Sequence, residues 1–196
     1  MIEVEKKFIL TEDQEKRLVD GAEFLGEKKI VDAYYDDSRY SLTTKDTWLR
    51  RRNGKFELKV PMNEIMERRV SDQYRELETD EEIAAFLGLP AGKILSETLR
   101  EKGYAPFLVL TTTRRKYRKD GFGIDLDSAD FGYNVAELEC IIDDKSKVRE
   151  TTQKIIDYAK TYGFGEGVVR GKVCEFLRRK KPGHFQALVE AKITLP

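Results

Sequence analysis

The sequence predicts an α+β fold whose core is an antiparallel sheet of eight strands. Eight segments alternate apolar and polar residues with the period of two that is typical of strands. Two dipeptides that favour tight hairpin turns, Asn53-Gly54 and Asp120-Gly121, each separate two of these segments. Helical patterns are fewer than strand patterns. The turns and the small number of helices together favour antiparallel pairing of neighbouring strands.

The elements follow one another in a simple order. Strands are predicted at residues 2–9, 29–35, 47–52, 55–60, 67–78, 107–119, 122–127 and 133–142. Helices are predicted at residues 11–24, 79–88, 93–102, 145–162 and 172–180. Thr11 with Gln14, and Thr79 with Glu82, have the spacing of capping boxes and mark the first two helix starts. The later helices have helix-forming composition, with apolar positions such as Ile155 on one face.

Length and charge restrict the class of protein. A chain of 196 residues is long enough for one domain and too short for two ordinary ones, so we expect a single domain over residues 1–196. Its 36 basic and 36 acidic side chains cancel, which argues against binding to nucleic acid or membranes through a bulk positive field. The sequence contains neither a membrane-length apolar run nor a targeting signature. We therefore expect a cytoplasmic monomer.

Several common catalytic arrangements are excluded by residue counts. Cys140, Cys174 and the single histidine, His184, are too few for a zinc site of the usual type or a disulfide framework. A nucleophilic triad would have to use His184, which follows Pro182-Gly183 near the C-terminus. No Walker loop or dinucleotide-binding glycine motif is present. We expect the two cysteines and His184 to have structural roles or none.

Charged side chains recur on one face of five predicted strands. In the first strand, Glu3, Glu5 and Lys7 alternate with apolar residues. The equivalent positions in the other four strands are Trp48, Arg50 and Arg52; Glu57 and Lys59; Asp125 and Asp127; Glu137 and Glu139. The simplest interpretation is an antiparallel sheet with one solvent-exposed face. Exposed faces normally also use Thr, Ser and Gln, so a closed barrel with a charged interior for one small ligand is the alternative.

The types of ion indicate a polyphosphate accompanied by a metal ion. Arginine binds phosphate through a planar fork and lysine binds it as a point charge, and Arg50, Arg52, Lys7 and Lys59 offer both. Carboxylates beside a phosphate require a hard cation such as Mg²⁺. The carboxylates that suit this role are Glu3, Glu5, Asp125, Glu137 and Glu139. Trp48 shares the face of Arg50 and Arg52 and could stack on a ring attached to the phosphates.

These motifs resemble a known family. The pentapeptide Glu3-Val4-Glu5-Lys6-Lys7 is similar to the E-x-E-x-K signature that opens the CYTH family, the triphosphate tunnel metalloenzymes. Further motifs occur in the order and spacing of the animal thiamine triphosphatase branch: Tyr34-Tyr35-Asp36, Trp48-Leu49-Arg50-Arg51-Arg52, Glu57-Leu58-Lys59, residues 124–133 and Glu137-Leu138-Glu139. The resemblance implies a closed eight-stranded antiparallel β-barrel, the triphosphate tunnel, with helices packed outside. It also implies Mg²⁺-dependent hydrolysis with thiamine triphosphate as the characteristic substrate.

The resemblance also implies roles for individual residues. Those implied to lie around the metal are Glu3, Glu5, Asp125, Asp127, Glu137 and Glu139. Those implied to bind the substrate are Lys7, Trp48, Arg50, Arg52, Lys59, Arg114, Asp125 and Lys172, with Trp48 stacking on the thiamine ring. Tyr35 is implied to partner Lys59 in catalysis, and Glu76 is a possible further acid. The family pattern alone selects Arg114 over Arg115, since both faces of that strand are polar.

The hypothesis is attack of a metal-positioned water on the terminal phosphorus, which gives thiamine diphosphate and phosphate. If Lys59 lies among other cations, its pKa is lowered and an alkaline optimum is expected. An inorganic tripolyphosphatase on the same scaffold is the nearest alternative. A non-catalytic polyphosphate- or nucleotide-binding barrel is a more distant one, and adenylate cyclase activity is disfavoured by the motifs. No motif is matched in residues 62–72.

Overall fold

The protein is an antiparallel barrel of eight strands. The computed structural model describes residues 2–62, 72–165, 167 and 169–196. The strands are β1 (Ile2–Phe8), β2 (Glu23–Asp36), β3 (Trp48–Arg52), β4 (Lys55–Pro61), β5 (Asp72–Leu77), β6 (Ala105–Lys119), β7 (Phe122–Ala129) and β8 (Tyr133–Ile142). Their order around the barrel is β1-β5-β4-β3-β2-β6-β7-β8, and β8 pairs with β1 to close it. The predicted closed α+β barrel is confirmed.

Many apolar side chains of the strands face outward and pack against helices. The helices are α1 (Glu12–Val19), α2 (Asp80–Phe86), α3 (Leu95–Glu101), α4 (Val148–Thr161), α5 (Lys172–Lys180) and α6 (Pro182–Glu190). Ile155 of α4 packs against Val4 and Leu138, while α2 and α3 cover Leu49 and Leu58. Burying each such side chain contributes about 1.5–3 kcal/mol. Because alternation sends these residues outward, the charged residues between them point into the barrel.

The C-terminal helices cover apolar residues at one end of the interior. Val173 and Leu177 of α5 and Leu188 of α6 pack in one buried cluster with Tyr34 and Trp48. Within the described ranges, no helix combines the length and the apolar character that crossing a membrane requires.

The bounds of two predicted elements differ clearly from the structure, and one helix was not predicted. The first helix ends at Val19 instead of residue 24, and β2 begins at Glu23 instead of residue 29. Residues 23–28 show no clean alternation, and pairing with β6 extends the strand. Pro182 opens α6, a helix that was not predicted, because proline suits the first turn. Of the predicted strand 67–78, residues 67–71 lie outside the described residues.

Candidate active site

The barrel interior is lined by side chains of both charges. We call the space between them the tunnel. The inward acids are Glu3, Glu5, Asp32, Glu57, Asp72, Glu76, Asp125, Asp127, Glu137 and Glu139. The inward bases are Lys7, Arg50, Arg52, Lys59, Arg114, Lys116 and, from α5, Lys172. Because the described tunnel residues carry charges of both signs, the tunnel suits an anion that arrives with a cation.

Arg114 is the centre of one charged cluster. Its guanidinium donates two hydrogen bonds of 2.6 Å to Asp127 and one of 2.8 Å to Glu137, and it also contacts Asp125. Burial lowers the pKa of Arg114, but these carboxylates outweigh burial and raise it above its ordinary value. Arg115 points outward to Glu15, with 2.8 Å between Nη2 and Oε1. The structure therefore places Arg114, and not Arg115, in the tunnel.

Lys172 closes this cluster from the first position of α5. Its Nζ contacts Asp127 and lies 3.6 Å from Glu137 Oε1. Burial opposes ionisation of Glu137, yet Lys172 and Arg114 hold the pKa of Glu137 well below its usual range. Lys7 lies on the same side of the barrel, between Glu5 and Asp72. Each lysine expected to bind phosphate here is therefore paired with carboxylates.

Arg50 and Arg52 occupy the opposite wall with partners of their own. Arg50 Nε donates to Glu57 at 2.7 Å. Arg52 makes a bidentate pair with Asp32 through bonds of 2.7 and 2.8 Å. Burial raises the pKa of Asp32, but the hydrogen bonds from Arg52 and the charge of Arg50 bring it below its usual value. Both guanidinium groups are thereby held in fixed orientations towards the tunnel.

Lys59 lies among acids, which contradicts the expected cause of an alkaline optimum. Its Nζ is 2.6 Å from Glu3 Oε2 and 2.9 Å from Glu76 Oε1. Burial lowers the pKa of Lys59, but the charges of Glu5 and Glu3 dominate and raise it above its ordinary value. Lys59 therefore stays protonated at neutral and mildly alkaline pH.

Tyr35 does not meet Lys59, and this predicted pairing is wrong in the structure. Tyr35 lies on the outer face of β2, where its ring packs edge-on against Phe56 at a centroid distance of 5.5 Å. Successive residues of a strand point to opposite faces, so Tyr34 is the inward tyrosine and pairs with Arg50 on β3. Asp32 and Tyr34 alternate along β2, and this alternation could have identified both of them as inward-facing residues.

Trp48 lies inside the barrel, as its shared phase with Arg50 and Arg52 predicts. It pairs with Lys59 across β3 and β4, and its Nε1 donates to Asp46 at 2.8 Å. Tyr74 of β5 donates to the same carboxylate oxygen at 2.9 Å. Sequence reasoning missed Asp46, which lies outside the predicted strands. It also missed Lys116, which shares the phase of Arg114 and is 2.8 Å from Glu139.

The donor set of the tunnel fits a hard cation such as Mg²⁺. Every candidate ligand is a carboxylate, and Glu5 faces Glu139 across β1 and β8. Asp125 Oδ1 is buried and accepts no hydrogen bond from the described residues, although Lys116 Nζ lies 3.1 Å away. Among the described residues no three His, Cys, Asp or Glu side chains are close enough to hold an ion. Lysine and arginine side chains lie between the acids instead.

A closed barrel with this interior defines a protein that encloses a small, highly charged ligand. A model of the CYTH domain matches residues 1–170, so the chain belongs to the CYTH family. It is 30% identical to the thiamine-triphosphatase of Homo sapiens over 97% of this chain and 90% of that protein. The α5 and α6 helices lie beyond the matched residues, yet Lys172 of α5 reaches the tunnel.

Solved structures share the fold at lower identity. A protein of Pyrococcus horikoshii OT3 has a TM-score of 0.67 and 21% identity, over 91% of this chain and 99% of that chain. A Hippeastrum protein studied as an adenylyl cyclase, with a dominant triphosphatase activity, has a TM-score of 0.57 and 16% identity, over 93% of this chain and 98% of that chain. At these identities the likeness concerns the fold alone.

Proposed function

We propose that the protein hydrolyses thiamine triphosphate to thiamine diphosphate and phosphate in the presence of Mg²⁺. The observation that carries the proposal is the set of buried arginines and lysines facing carboxylates inside a closed barrel. A triphosphate needs the bases and its accompanying cation needs the acids. The name of the human relative supports thiamine triphosphate, and the activity described for the Hippeastrum protein supports triphosphate hydrolysis.

Binding of the substrate exchanges partners within the tunnel. Each of the described tunnel bases is paired with an acid, which lowers the cost of burying its charge. When a triphosphate enters, its oxygens take the place of carboxylates around Arg50, Arg52 and Arg114. The carboxylates of Glu3, Glu5, Glu137 and Glu139, with Asp125 and Asp127, are then free to hold Mg²⁺. The protein thus exchanges one set of ion pairs for another.

Hydrolysis then depends on positioning and on charge. The oxygen of water attacks the terminal phosphorus, the bond to the bridging oxygen breaks, and the diphosphate leaves. Lys7, Lys59 and Lys172 stabilise the charge on the phosphoryl oxygens, while the arginines hold the phosphates in line. Mg²⁺, when bound, supplies further positive charge and polarises water. Trp48 lies opposite Lys59 across β3 and β4, and its ring receives the ring system of thiamine.

Phosphate release from thiamine triphosphate, tripolyphosphate and ATP, measured in parallel with Mg²⁺ and with EDTA, tests this function. We expect release from thiamine triphosphate to exceed the other two and to stop with EDTA. Preference for tripolyphosphate would identify an inorganic tripolyphosphatase. This is the second candidate because the charged side chains of the tunnel would bind the phosphates of a triphosphate whether or not an organic group is attached. Release from none of the three would contradict hydrolysis.

Exchanging Glu5 for Gln separates a metalloenzyme from a passive anion binder. Glu5 is buried and lies beside Lys7. A metalloenzyme loses turnover when a ligand carboxylate becomes an amide, and we expect a loss of about 100-fold. A passive binder would hold tripolyphosphate as well or better, since a negative charge is removed from its site. Glu101→Gln, at an exposed position at the end of α3, is the matched control.

A further inference from the structure

Asp46 connects two aromatic side chains at one end of the tunnel. Its Oδ1 atom accepts a hydrogen bond from Trp48 Nε1 at 2.8 Å and another from Tyr74 OH at 2.9 Å. The Asp46 residue is only 4% exposed. We call Trp48 and Tyr74 the aromatic pair. A single buried carboxylate oxygen therefore determines where the polar edges of both rings lie.

The backbone holds this carboxylate in place. Asp46 ends the short 3-10 helix Thr43–Lys45 in the left-handed conformation, with φ 56° and ψ 25°. Its N–H donates to the carbonyl of Thr43 at 3.0 Å. Asparagine, aspartate and glycine are the residues that adopt this conformation most readily. The turn thus directs the side chain of Asp46 towards the aromatic pair.

The aromatic pair adjoins the lysine that we place against the phosphates. Trp48 lies opposite Lys59 across β3 and β4, and Lys59 Nζ is 5.5 Å from the centroid of the Tyr74 ring. Val173 and Leu177 of α5 complete the same buried cluster. An organic group attached to a phosphate at Lys59 would therefore meet these two rings first.

We propose that Asp46 is a positioning residue that sets the selectivity of the tunnel for a triphosphate carrying a cationic aromatic ring. By accepting hydrogen bonds from both rings, the carboxylate fixes their planes for stacking. A triphosphate without an organic group gains nothing from this arrangement. The inference rests on the proposed function, because it takes the triphosphate to lie at Lys59.

Two substitutions at Asp46 separate the hydrogen bonds from the backbone conformation. Asp46→Gly removes the acceptor and accepts the positive φ, whereas Asp46→Asn keeps an acceptor oxygen and tolerates the same φ. The measured quantity is the ratio of kcat/KM for thiamine triphosphate to kcat/KM for tripolyphosphate. We expect Asp46→Gly to lower this ratio about tenfold, mainly through the KM for thiamine triphosphate. Asp46→Asn should keep the ratio within about threefold of the original.

Certain results for the Asp46 variants would overturn the proposal. An unchanged ratio in Asp46→Gly would overturn the proposal, and so would an equal loss in Asp46→Asn. Thermal unfolding shows whether each variant folds. If Asp46→Gly does not fold, Tyr74→Phe removes one of the two donors and keeps the ring. We expect Tyr74→Phe to lower the ratio about threefold, and no change would overturn the proposal.

Fluorescence tests the same contact without any substrate. Trp48 is the single tryptophan of the sequence, so all indole emission reports on this side chain. Acrylamide should quench the ligand-free Asp46→Gly protein more strongly than the original, with Asp46→Asn close to the original. Equal quenching in all three proteins would overturn the positioning role. If the unaltered protein hydrolysed neither substrate, the proposed function would fail, while fluorescence would still decide the role of Asp46.

Discussion

Replacing Arg114 with Met tests whether the tunnel acids depend on this one guanidinium. Methionine keeps much of the volume and removes the charge and all the donors. Arg114 contacts Asp125, Asp127 and Glu137, whose side chains are 0%, 0% and 7% exposed. Removing one partner of a buried ion pair costs about 3–5 kcal/mol because the remaining charges are uncompensated. Lys172 still contacts Asp127 and Glu137, so we expect about 3 kcal/mol, the lower end of that range.

The free energy of unfolding in urea measures this loss, and the neighbouring residue supplies the control. Arg115 faces outward, and its side chain and that of its partner Glu15 are both 37% exposed. Such a pair is worth about 0–1 kcal/mol, so Arg115→Met should change stability little.

Addition of Mg²⁺ extends the test of Arg114. Arg114→Met leaves carboxylates with fewer positive neighbours, so Mg²⁺ should stabilise this variant more than it stabilises the original protein. Equal destabilisation by Arg114→Met and Arg115→Met would refute the reasoning. The same conclusion would follow if Mg²⁺ stabilised both variants to the same extent.

Three further predictions concern single residues. Burial lowers the pKa of His184 to about 4 in the folded protein. Below pH 6.5 the unfolded chain therefore binds a proton at His184 more readily than the folded protein does. Stability present above pH 6.5 should therefore be lost as the pH falls to 4, by up to about 3 kcal/mol in urea unfolding. Because the pKa of Lys59 is raised, Lys59 should not lose its proton between pH 7 and 9, and the rate of phosphate release should not rise over this range for that reason. Lys59→Met should lower kcat/KM about 100-fold. A methyl group added at Gly123 would lie 2.7 Å from Glu139 Cγ, so Gly123→Ala should raise the Mg²⁺ concentration for half-maximal rate about tenfold.

Matched controls decide these three predictions. His184→Phe keeps a ring and should flatten the acid side of the stability profile, and an unchanged slope would count against the assignment. A rise in rate between pH 7 and 9 that disappears in Lys59→Arg would contradict the raised pKa. No atom of the described residues lies within 4 Å of a methyl group added at Gly165, so Gly165→Ala should leave the Mg²⁺ requirement unchanged. A shift as large as that in Gly123→Ala would refute the steric explanation.

Much of the barrel could be predicted because strand alternation is a local property. The phase of Glu3, Glu5 and Lys7 follows from residue order alone, and the structure places all three inward. The length of β2 could not be predicted in this way. Its first residues lack alternation and become a strand because β6 supplies the hydrogen-bonding partner. The sixth helix was missed for a similar reason, since Leu188 becomes buried only against the barrel end.

The sequence likewise predicted only part of the candidate site. Alternation and the family resemblance together identified most of the arginines, lysines and carboxylates that line the tunnel, although Lys116, Asp32 and Asp72 were missed. Tyr35 was assigned to the site by motif, although its neighbour Tyr34 has the inward phase. Asp46 belongs to no strand, and its contact with Tyr74 joins residues far apart in the chain.

The amino-acid order by itself determined which strand faces are charged, where the hairpins turn and which ion types share a face, because each depends on residues only a few positions apart. Only the tertiary structure decided that Lys59 lies between Glu3 and Glu76. That arrangement reverses the pKa shift expected from a cluster of cations. Closure of the barrel determines which buried charges become partners, because it brings β1, β4 and β5 side by side. Short-range sequence patterns contain no information on such distant contacts.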